Sequence, residues 1–260
     1  MLSLKSCAKI NLALDVLGRN PSGYHRLNTI YHEVLTLTDE MQFELLEEAK
    51  IEFFCDHPEV PRDNTNPVMR AAERLQKTYA PHRGVKITLD KRIPLGSGLG
   101  GGSSNAATTL KALNELWELN LSRETLLTLA AEIGMDVPFF VLGGAALGMH
   151  YGEHLMPVPP LEGIGIEVIP TGIHVSTAEA YGALKLSECG QHLRDTSQFV
   201  RFLKGELELS AEERMTRLES WLHNDFEDSF FKQHPDLKEK YPTAHLTGTG
   251  GSLFRLKAKN

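Results

Sequence analysis

Residues Pro94 to Ala107 read PLGSGLGGGSSNAA, with five glycines in positions 96–102 followed at once by good helix formers. Glycine reaches positive φ freely and lets another molecule's atoms approach the main chain. Beyond it, Ala106, Ala107, Leu110, Leu113, Leu116 and Trp117 recur at helical spacing and leave Lys111, Asn114, Glu115 and Glu118 for solvent. The spacing predicts a buried helix starting near Ser103. Its first amides lack internal partners and carry the positive end of the helix dipole. A helix start of this kind is an anion site, and the expected guest is a phosphate.

The usual phosphate loops do not fit. A Walker A loop needs Lys and then Ser or Thr after its last glycine, but Gly101 is followed by Gly102 and Ser103. Gly96, Gly98 and Gly101 match G-x-G-x-x-G, yet a dinucleotide site also needs a strand after the helix. Here the segment opening at Ser122 reads as a second helix, with Ser122 as its N-cap. A protein-kinase loop should be followed by H-R-D and D-F-G, and neither occurs.

Composition bounds the remaining classes. The 260 residues are 41% hydrophobic and 23% charged, enough for one large or two ordinary globular domains. A net charge of -7 argues against broad binding to nucleic acid or an anionic membrane, which needs a basic face. Cys7, Cys55 and Cys189 form no C-x-x-C pair, which suits a reducing compartment. No signal peptide or apolar run of membrane-spanning length is visible, so a soluble cytoplasmic protein is expected. The eleven histidines show neither H-E-x-x-H nor Cys/His zinc spacing.

Strand patterns occupy Ile10–Val16, Tyr31–Leu37, Met41–Leu46, Ile51–Cys55 and Val85–Leu89. A helix is expected from Asn66-Pro67, with proline in the first turn where its missing donor does no harm. Met156–Gly163, with prolines at 157, 159 and 160, reads as a linker that resists regular pairing. The expected domains are therefore residues 1–156 and 157–260. The second would hold a strand over Ile164–Ile169, helices near Thr177–Leu186 and Ala211–Leu222, and a strand pair around Leu246–Phe254.

Four stretches stand in order: AKINLALDVLGRNPSGYHRLNTI from Ala8, IPLGSGLGGGSSNAA from Ile93, GMDVPFF from Gly134 and LTGTGGSLF from Leu246. Together they resemble the GHMP kinase superfamily of galactokinase, homoserine kinase and mevalonate kinase. Within it they are most similar to the branch whose acceptor is a cytidine diphosphate-linked methylerythritol. The resemblance spans about Ala8 to Phe254. It implies an α+β, two-domain architecture: an N-terminal ribosomal-protein-S5-like domain, a short C-terminal ferredoxin-like domain, and an active site in the cleft between them.

The resemblance also implies roles. The reaction would move the γ-phosphoryl of ATP, arriving with Mg²⁺, to a hydroxyl of the cytidine diphosphate-linked acceptor, so a proton acceptor, a cation and a phosphate cradle are needed. Asp136 matches the family's base and Lys9 its catalytic lysine. ATP contacts carry over to Asn66 and Lys91 near the adenosine, and to Pro94, Leu95, Gly96, Ser97, Gly98, Leu99, Gly100, Gly101, Gly102, Ser103 and Ser104 around the phosphates. Gly101 is taken to face the ligand. Tyr24 and His25 match the cytidine-binding G-Y-H, Tyr181 the second stacking aromatic, and Asn11 and Thr177 further acceptor contacts. The metal ligands are not assigned.

Read alone, several of these residues have plainer roles. Asp136 could be a turn carboxylate, Lys9 the solvent face of an edge strand, and the tyrosines ordinary core. Met135 stands where the family has a small residue, and Pro67 where it commonly has leucine. Only six residues follow Phe254 where the family pattern continues through a helix and strand, so a shortened C-terminal domain is expected. The alternatives are another GHMP kinase, acting on homoserine or a mevalonate derivative, and a non-catalytic sensor. The first lacks a use for Gly23-Tyr24-His25 with Tyr181, and the second should have lost Lys9 or Asp136.

Overall fold

The computed structural model describes residues 1–21 and 23–258. In chain order the elements are β1 (Leu2–Arg19), β2 (His25–Leu46), β3 (Ile51–Cys55), α1 (Pro67–Tyr79), β4 (Gly84–Asp90), α2 (Gly101–Leu116), α3 (Arg123–Ile133) and α4 (Val137–Leu142). There follow β5 (Ala145–His150), β6 (His154–Val158), β7 (Ile164–Pro170), α5 (Thr177–Gly182), α6 (Leu193–Leu203), α7 (Ala211–Trp221), β8 (His223–Asn224), α8 (Glu227–Gln233), α9 (Pro235–Lys240), β9 (His245–Leu246) and β10 (Ser252–Ala258).

These elements form two compact units that interleave along the chain. The first comprises Met1–Ala8, Val34–Leu95 and Gly100–Gly143; the second comprises Lys9–Glu33, Gly96–Leu99 and the chain from Gly144 onward. The expected domain limit after residue 156 falls inside β6.

In the first unit β4 runs antiparallel to the second half of β2, from Glu40 opposite Asp90 to Leu46 opposite Gly84, and parallel to β3. Met41 and Phe43 on β2 and Val85, Ile87 and Leu89 on β4 are buried, at the two-residue period of strands with one covered face. Helix α1 buries Val68, Met69, Ala71, Ala72 and Leu75, a stripe at helical spacing. Asn66 caps it, its side chain accepting from the Val68 amide at 2.9 Å with Pro67 next in line. Ser122 caps α3 in the same way through Thr125 N at 3.2 Å. Each cap is worth about 1 kcal/mol.

In the second unit β5 pairs antiparallel with the first half of β2, from Leu27 opposite His150 to His32 opposite Ala145, and with β6. β8 lies parallel to β1 at Ala13 and Leu14. A separate three-stranded antiparallel sheet has the order β7-β10-β9. Leu14, Val16, Phe226, Phe230, Leu237, Leu246 and Leu253 share one core.

Three expectations need correction. Tyr31–Leu37 and Met41–Leu46 are parts of one 22-residue strand, β2. The Asp39 carboxylate between them accepts the Arg92 and Ile93 amides, both at 2.7 Å, which holds this acidic residue within the strand. Pro157 does not resist pairing: it lies opposite Ala146 in β6, a strand bonded on one side to β5, where a proline can turn its missing donor outward. The helix after the glycine loop begins at Gly101, two residues before Ser103.

Candidate active site

In the second unit, β1 carries Lys9 and Asn11 two residues apart, on one face of the strand. Lys9 is only 3% exposed, so it is not the solvent face of an edge. Its Nζ donates to Asn11 Oδ1 at 2.7 Å and lies 5.7 Å from the centre of the Tyr31 ring. The same Oδ1 accepts from Gly248 N at 3.0 Å, and Asn11 Nδ2 donates to Thr29 Oγ1 at 2.8 Å. Asn11 N donates to Thr247 Oγ1 at 3.0 Å, so the LTGTGGSLF stretch clamps this asparagine from two sides. A buried cation carries a heavy desolvation cost and needs such a polar cradle. Thr29 and Thr247 are members of this cradle that sequence reasoning did not single out, although both lie within the quoted motif stretches; their role depends on contacts distant in the chain.

The residues expected to meet a cytidine are also in this unit. Tyr24 is 57% exposed, with its ring 5.7 Å from that of Tyr151. The turn before it is closed by Asn20, whose Oδ1 accepts from Tyr24 N at 2.9 Å. The face of Tyr181 is stacked on His25, with centroids 4.4 Å apart and planes at 19°, and its ring meets Phe226 edge-on. Burial, followed by the charge of Arg19, lowers the His25 pKa and favours a neutral ring. Thr177 lies exposed at the first position of α5.

In the first unit, Lys91 is ion-paired to Asp39, with side chains 3% and 0% exposed. Asn105 bridges them: its Oδ1 accepts from Lys91 Nζ at 3.1 Å and its Nδ2 donates to Asp39 Oδ2 at 2.8 Å. Asn105 Nδ2 also reaches Ser6 Oγ at 2.9 Å, and Ser6 Oγ donates to Ser104 Oγ at 2.8 Å. Burial lowers the Lys91 pKa against the opposing effect of Asp39. Lys91, Asn105 and Asp39 thus tie the start of α2 to β2, and Ser6 ties Ser104 and Asn105 to β1. Asn66 is occupied at both ends of its amide, its Nδ2 donating to Pro61 O at 2.7 Å while its oxygen caps α1.

Asp136 takes the N-cap position of α4 with helical backbone angles, partly buried, and its side chain does not cap that helix. Asp136 thus lies in the turn that leads into α4 without its carboxylate capping that helix.

The glycine loop itself is set by backbone geometry. Gly98 has φ +74°, and a Cβ there would lie 2.3 Å from Thr247 O. Gly100, at φ +71°, is the N-cap of α2 and has no side chain to spend on the first amides. At Gly101 the side-chain direction is already filled by protein. A Cβ there would point inward, 2.7 Å from Lys91 Nζ and 2.9 Å from Ile93 Cγ2, so close packing explains this glycine. Gly102 is exposed, and only Pro67 comes within 4 Å of the position its Cβ would take.

The chain is also similar to known proteins. Residues 66–144 match the model of the GHMP kinases N terminal domain. The 4-diphosphocytidyl-2-C-methyl-D-erythritol kinase of Alkaliphilus metalliredigens is 37% identical over 97% of this chain and 87% of its own. The enzyme of the same name from Shouchella clausii is 39% identical over 97% of this chain and 82% of its own. A crystal structure of a 4-(cytidine 5'-diphospho)-2C-methyl-D-erythritol kinase superposes with a TM-score of 0.77 at 30% identity, covering 97% of this chain and 89% of that one. Homoserine kinase from Cytophaga hutchinsonii shares the fold, with a TM-score of 0.73 at 20% identity, covering 99% of this chain and 86% of that one. Similarity to the methylerythritol kinases runs through nearly the whole sequence: the chain belongs to the 4-diphosphocytidyl-2-C-methyl-D-erythritol kinase family, a branch of the GHMP kinases.

Proposed function

We propose that this protein is an ATP-dependent kinase that phosphorylates the 2-hydroxyl of 4-diphosphocytidyl-2-C-methyl-D-erythritol, a step of non-mevalonate isoprenoid precursor synthesis. The observation that carries the reading is the buried Lys9–Asn11 pair, set within a chain 37% identical to a kinase of that name. A lysine kept out of water is costly for a binding module and useful to an enzyme that must stabilise charge on a transferring group.

In this reading each residue takes a role. Lys9 supplies a fixed positive charge in a low-dielectric setting, where it acts most strongly on developing negative charge. Asn11 positions Lys9, since its carbonyl oxygen and one amide hydrogen are already engaged within the protein. Asp136 accepts the proton of the acceptor hydroxyl, or orients that hydroxyl where the transition state is loose. Residues Pro94 to Ser104 offer the phosphates a glycine backbone and the uncapped amides of α2. Asp39 anchors Lys91 beneath this loop, so Lys91 and Asn66 serve ATP by shaping its site. Tyr24 offers an exposed ring to the cytosine, while His25, Tyr181 and Thr177 complete the acceptor pocket.

The donor set also suits Mg²⁺, which takes hard oxygen ligands and usually keeps several waters. The carboxylate of Asp136 and the hydroxyl of Ser103 are of that type. The ion would neutralise phosphate charge. Among the described residues no helix is long and apolar enough to cross a membrane. With the net charge of -7 this supports a cytoplasmic enzyme whose partners are small molecules rather than nucleic acid or lipid.

A coupled ADP-release assay tests the reading, comparing the cytidine acceptor with homoserine and mevalonate phosphates. Turnover is expected with the cytidine acceptor alone. Turnover of homoserine or a mevalonate phosphate instead would transfer the chain to another GHMP activity. Nucleotide binding without turnover of any acceptor would make it a sensor.

A further inference from the structure

The turn between β5 and β6 carries a second cluster of chemistry-bearing side chains. His150 ends β5, His154 opens β6 opposite Met149, and Glu153 precedes it. Glu153 Oε1 lies 2.7 Å from His150 Nδ1 and 4.0 Å from His154 Nε2. The two imidazoles stack with centroids 4.9 Å apart and planes at 17°. One ligand atom from each of the three residues lies within 4.8 Å of the other two.

From this geometry we propose that His150, Glu153 and His154 bind one late first-row divalent ion, with Zn²⁺ as the reference occupant. Bonds of about 2.0–2.2 Å to a tetrahedral ion place ligand atoms roughly 3.3 Å apart. The His150–Glu153 contact must open slightly and the His154–Glu153 contact close slightly, both within reach of side-chain rotation. Glu153 is prepared for this. Its second oxygen accepts from Tyr151 N at 2.9 Å, fixing the carboxylate while Oε1 faces the imidazoles. Both histidine side chains are open to solvent, which supplies an entry path and the remaining water ligands.

Two imidazoles with one carboxylate form a set that favours Zn²⁺, Cu²⁺ or Ni²⁺ over Mg²⁺ and Ca²⁺, which prefer oxygen alone. The site therefore discriminates against the ion that accompanies ATP. It also has a mechanical consequence. Tyr151, inside the same turn, accepts a hydrogen bond from Asn20 Nδ2, and its ring packs near Tyr24 and against His150. An ion joining His150 to His154 braces this turn and, through Tyr151, the loop that the proposed function assigns to the acceptor. Ion binding itself does not rest on that assignment.

The test uses full-length protein stripped with a chelator, then titrated with Zn²⁺ against a chromophoric competitor, with Co²⁺ as a visible-absorption probe. One equivalent should bind with millimolar Mg²⁺ present, and Co²⁺ should develop a ligand-field band. His150→Ala, His154→Ala and Glu153→Gln lie on an exposed turn and should keep the native circular dichroism. Loss of an outer-shell partner alone costs roughly 10–100-fold in affinity, so each variant should weaken binding at least that much. Amide hydrogen exchange in the peptide carrying Asn20 and Tyr24 should slow when Zn²⁺ is added, and not in the variants. Undiminished stoichiometry and affinity in the His150→Ala/His154→Ala double variant would overturn the site. Binding that leaves exchange around Tyr24 unchanged would overturn the brace.

Discussion

Lys9 Nζ donates to Asn11 Oδ1 at 2.7 Å, and Gly248 N donates to the same oxygen at 3.0 Å. The lysine is held by an asparagine that the glycine-rich Leu246–Phe254 stretch itself fixes, so cation and cradle are separable by mutation. Lys9→Met keeps the length of the side chain and removes its charge. Loss of a preorganised charge stabiliser typically costs about 10²–10³ in kcat. Lys9→Met should show that fall with nucleotide affinity changed far less. Asn11→Ala, with the charge retained but unheld, should give a smaller fall. Steady-state kinetics alongside equilibrium nucleotide titration checks both, and equal rates for Lys9→Met and native protein would remove Lys9 from the mechanism.

Acceptor recognition separates two aromatic residues that look equivalent in sequence. Tyr24 is exposed, whereas the face of Tyr181 supports His25. Tyr24→Ala should raise the KM for the cytidine acceptor by the value of one stacking face, about 1–3 kcal/mol, and leave the KM for ATP unchanged. Tyr181→Ala should raise the acceptor KM and also lower Tm, because it unseats His25 and the Phe226 edge contact. Equal weakening of ATP and acceptor by Tyr24→Ala would show that the ring serves another site.

Legibility followed the range of the interaction. The Ser122 cap, the start of α1 at Pro67 and the stripe on α2 depend on residues within a turn or two, and the sequence pattern located them. The Asp39–Lys91–Asn105 network joins positions far apart in the chain, and no local spacing announces it. Pro157 read as a break because proline lacks a donor; only the one-sided position of β6 makes that harmless. The short helix α4 was also invisible, since its Val137-Pro138-Phe139-Phe140 is an apolar run with no helical period of its own. Motif resemblance singled out Lys9 and Asn11, but their hydrogen bond and the threonines around it belong to tertiary structure.

The glycine loop yields a contrast between neighbouring glycines. At Gly98 a methyl group would meet Thr247 O at 2.3 Å and Gly250 O at 2.8 Å, on a backbone with φ +74°. Gly98→Ala should therefore lower Tm and displace the loop, with nucleotide affinity reduced. Gly102 is helical with open space around it, and alanine there gains about 0.4–1 kcal/mol from the unfolded state. Gly102→Ala should hold or raise Tm. Thermal melts of the pair decide the matter, and a stable Gly98→Ala would show that the loop has room the geometry denies.

A buried His–Asp contact in the second unit makes part of the stability depend on pH. His223 Nε2 lies 3.2 Å from Asp15 Oδ2, and Thr196 Oγ1 donates to the same oxygen at 2.7 Å. Burial lowers the His223 pKa, but Asp15, the Trp221 carbonyl and Asp225 outweigh it, and the net shift is upward from 6.5. The folded form then holds its proton more tightly than the unfolded chain. The contribution is fully present below about pH 6.5 and is lost as pH rises through the folded pKa. Urea midpoints of the native protein and His223→Gln should differ most at pH 6 and converge toward pH 8. A gap that widens as pH rises would reverse the assignment.

Asp136→Asn separates an enzyme from a sensor. The substitution preserves side-chain size, and because the carboxylate does not cap α4 the helix should form unchanged. Removed are the negative charge and the basicity that would accept the hydroxyl proton. Both substrates should still bind. General-base catalysis contributes about 10²–10⁴ in rate, equivalent to roughly 3–5 kcal/mol of barrier, so kcat should fall within that range. The size of the fall reports on mechanism, because phosphoryl transfer through a loose transition state needs little deprotonation of the nucleophile early on. A fall near 10² identifies Asp136 chiefly as the group that orients the acceptor, and one near 10⁴ as its proton acceptor. Single-turnover measurement under saturating ATP isolates the chemical step from product release. An Asn variant that binds both substrates and turns over at the native rate would remove Asp136 from the reaction altogether.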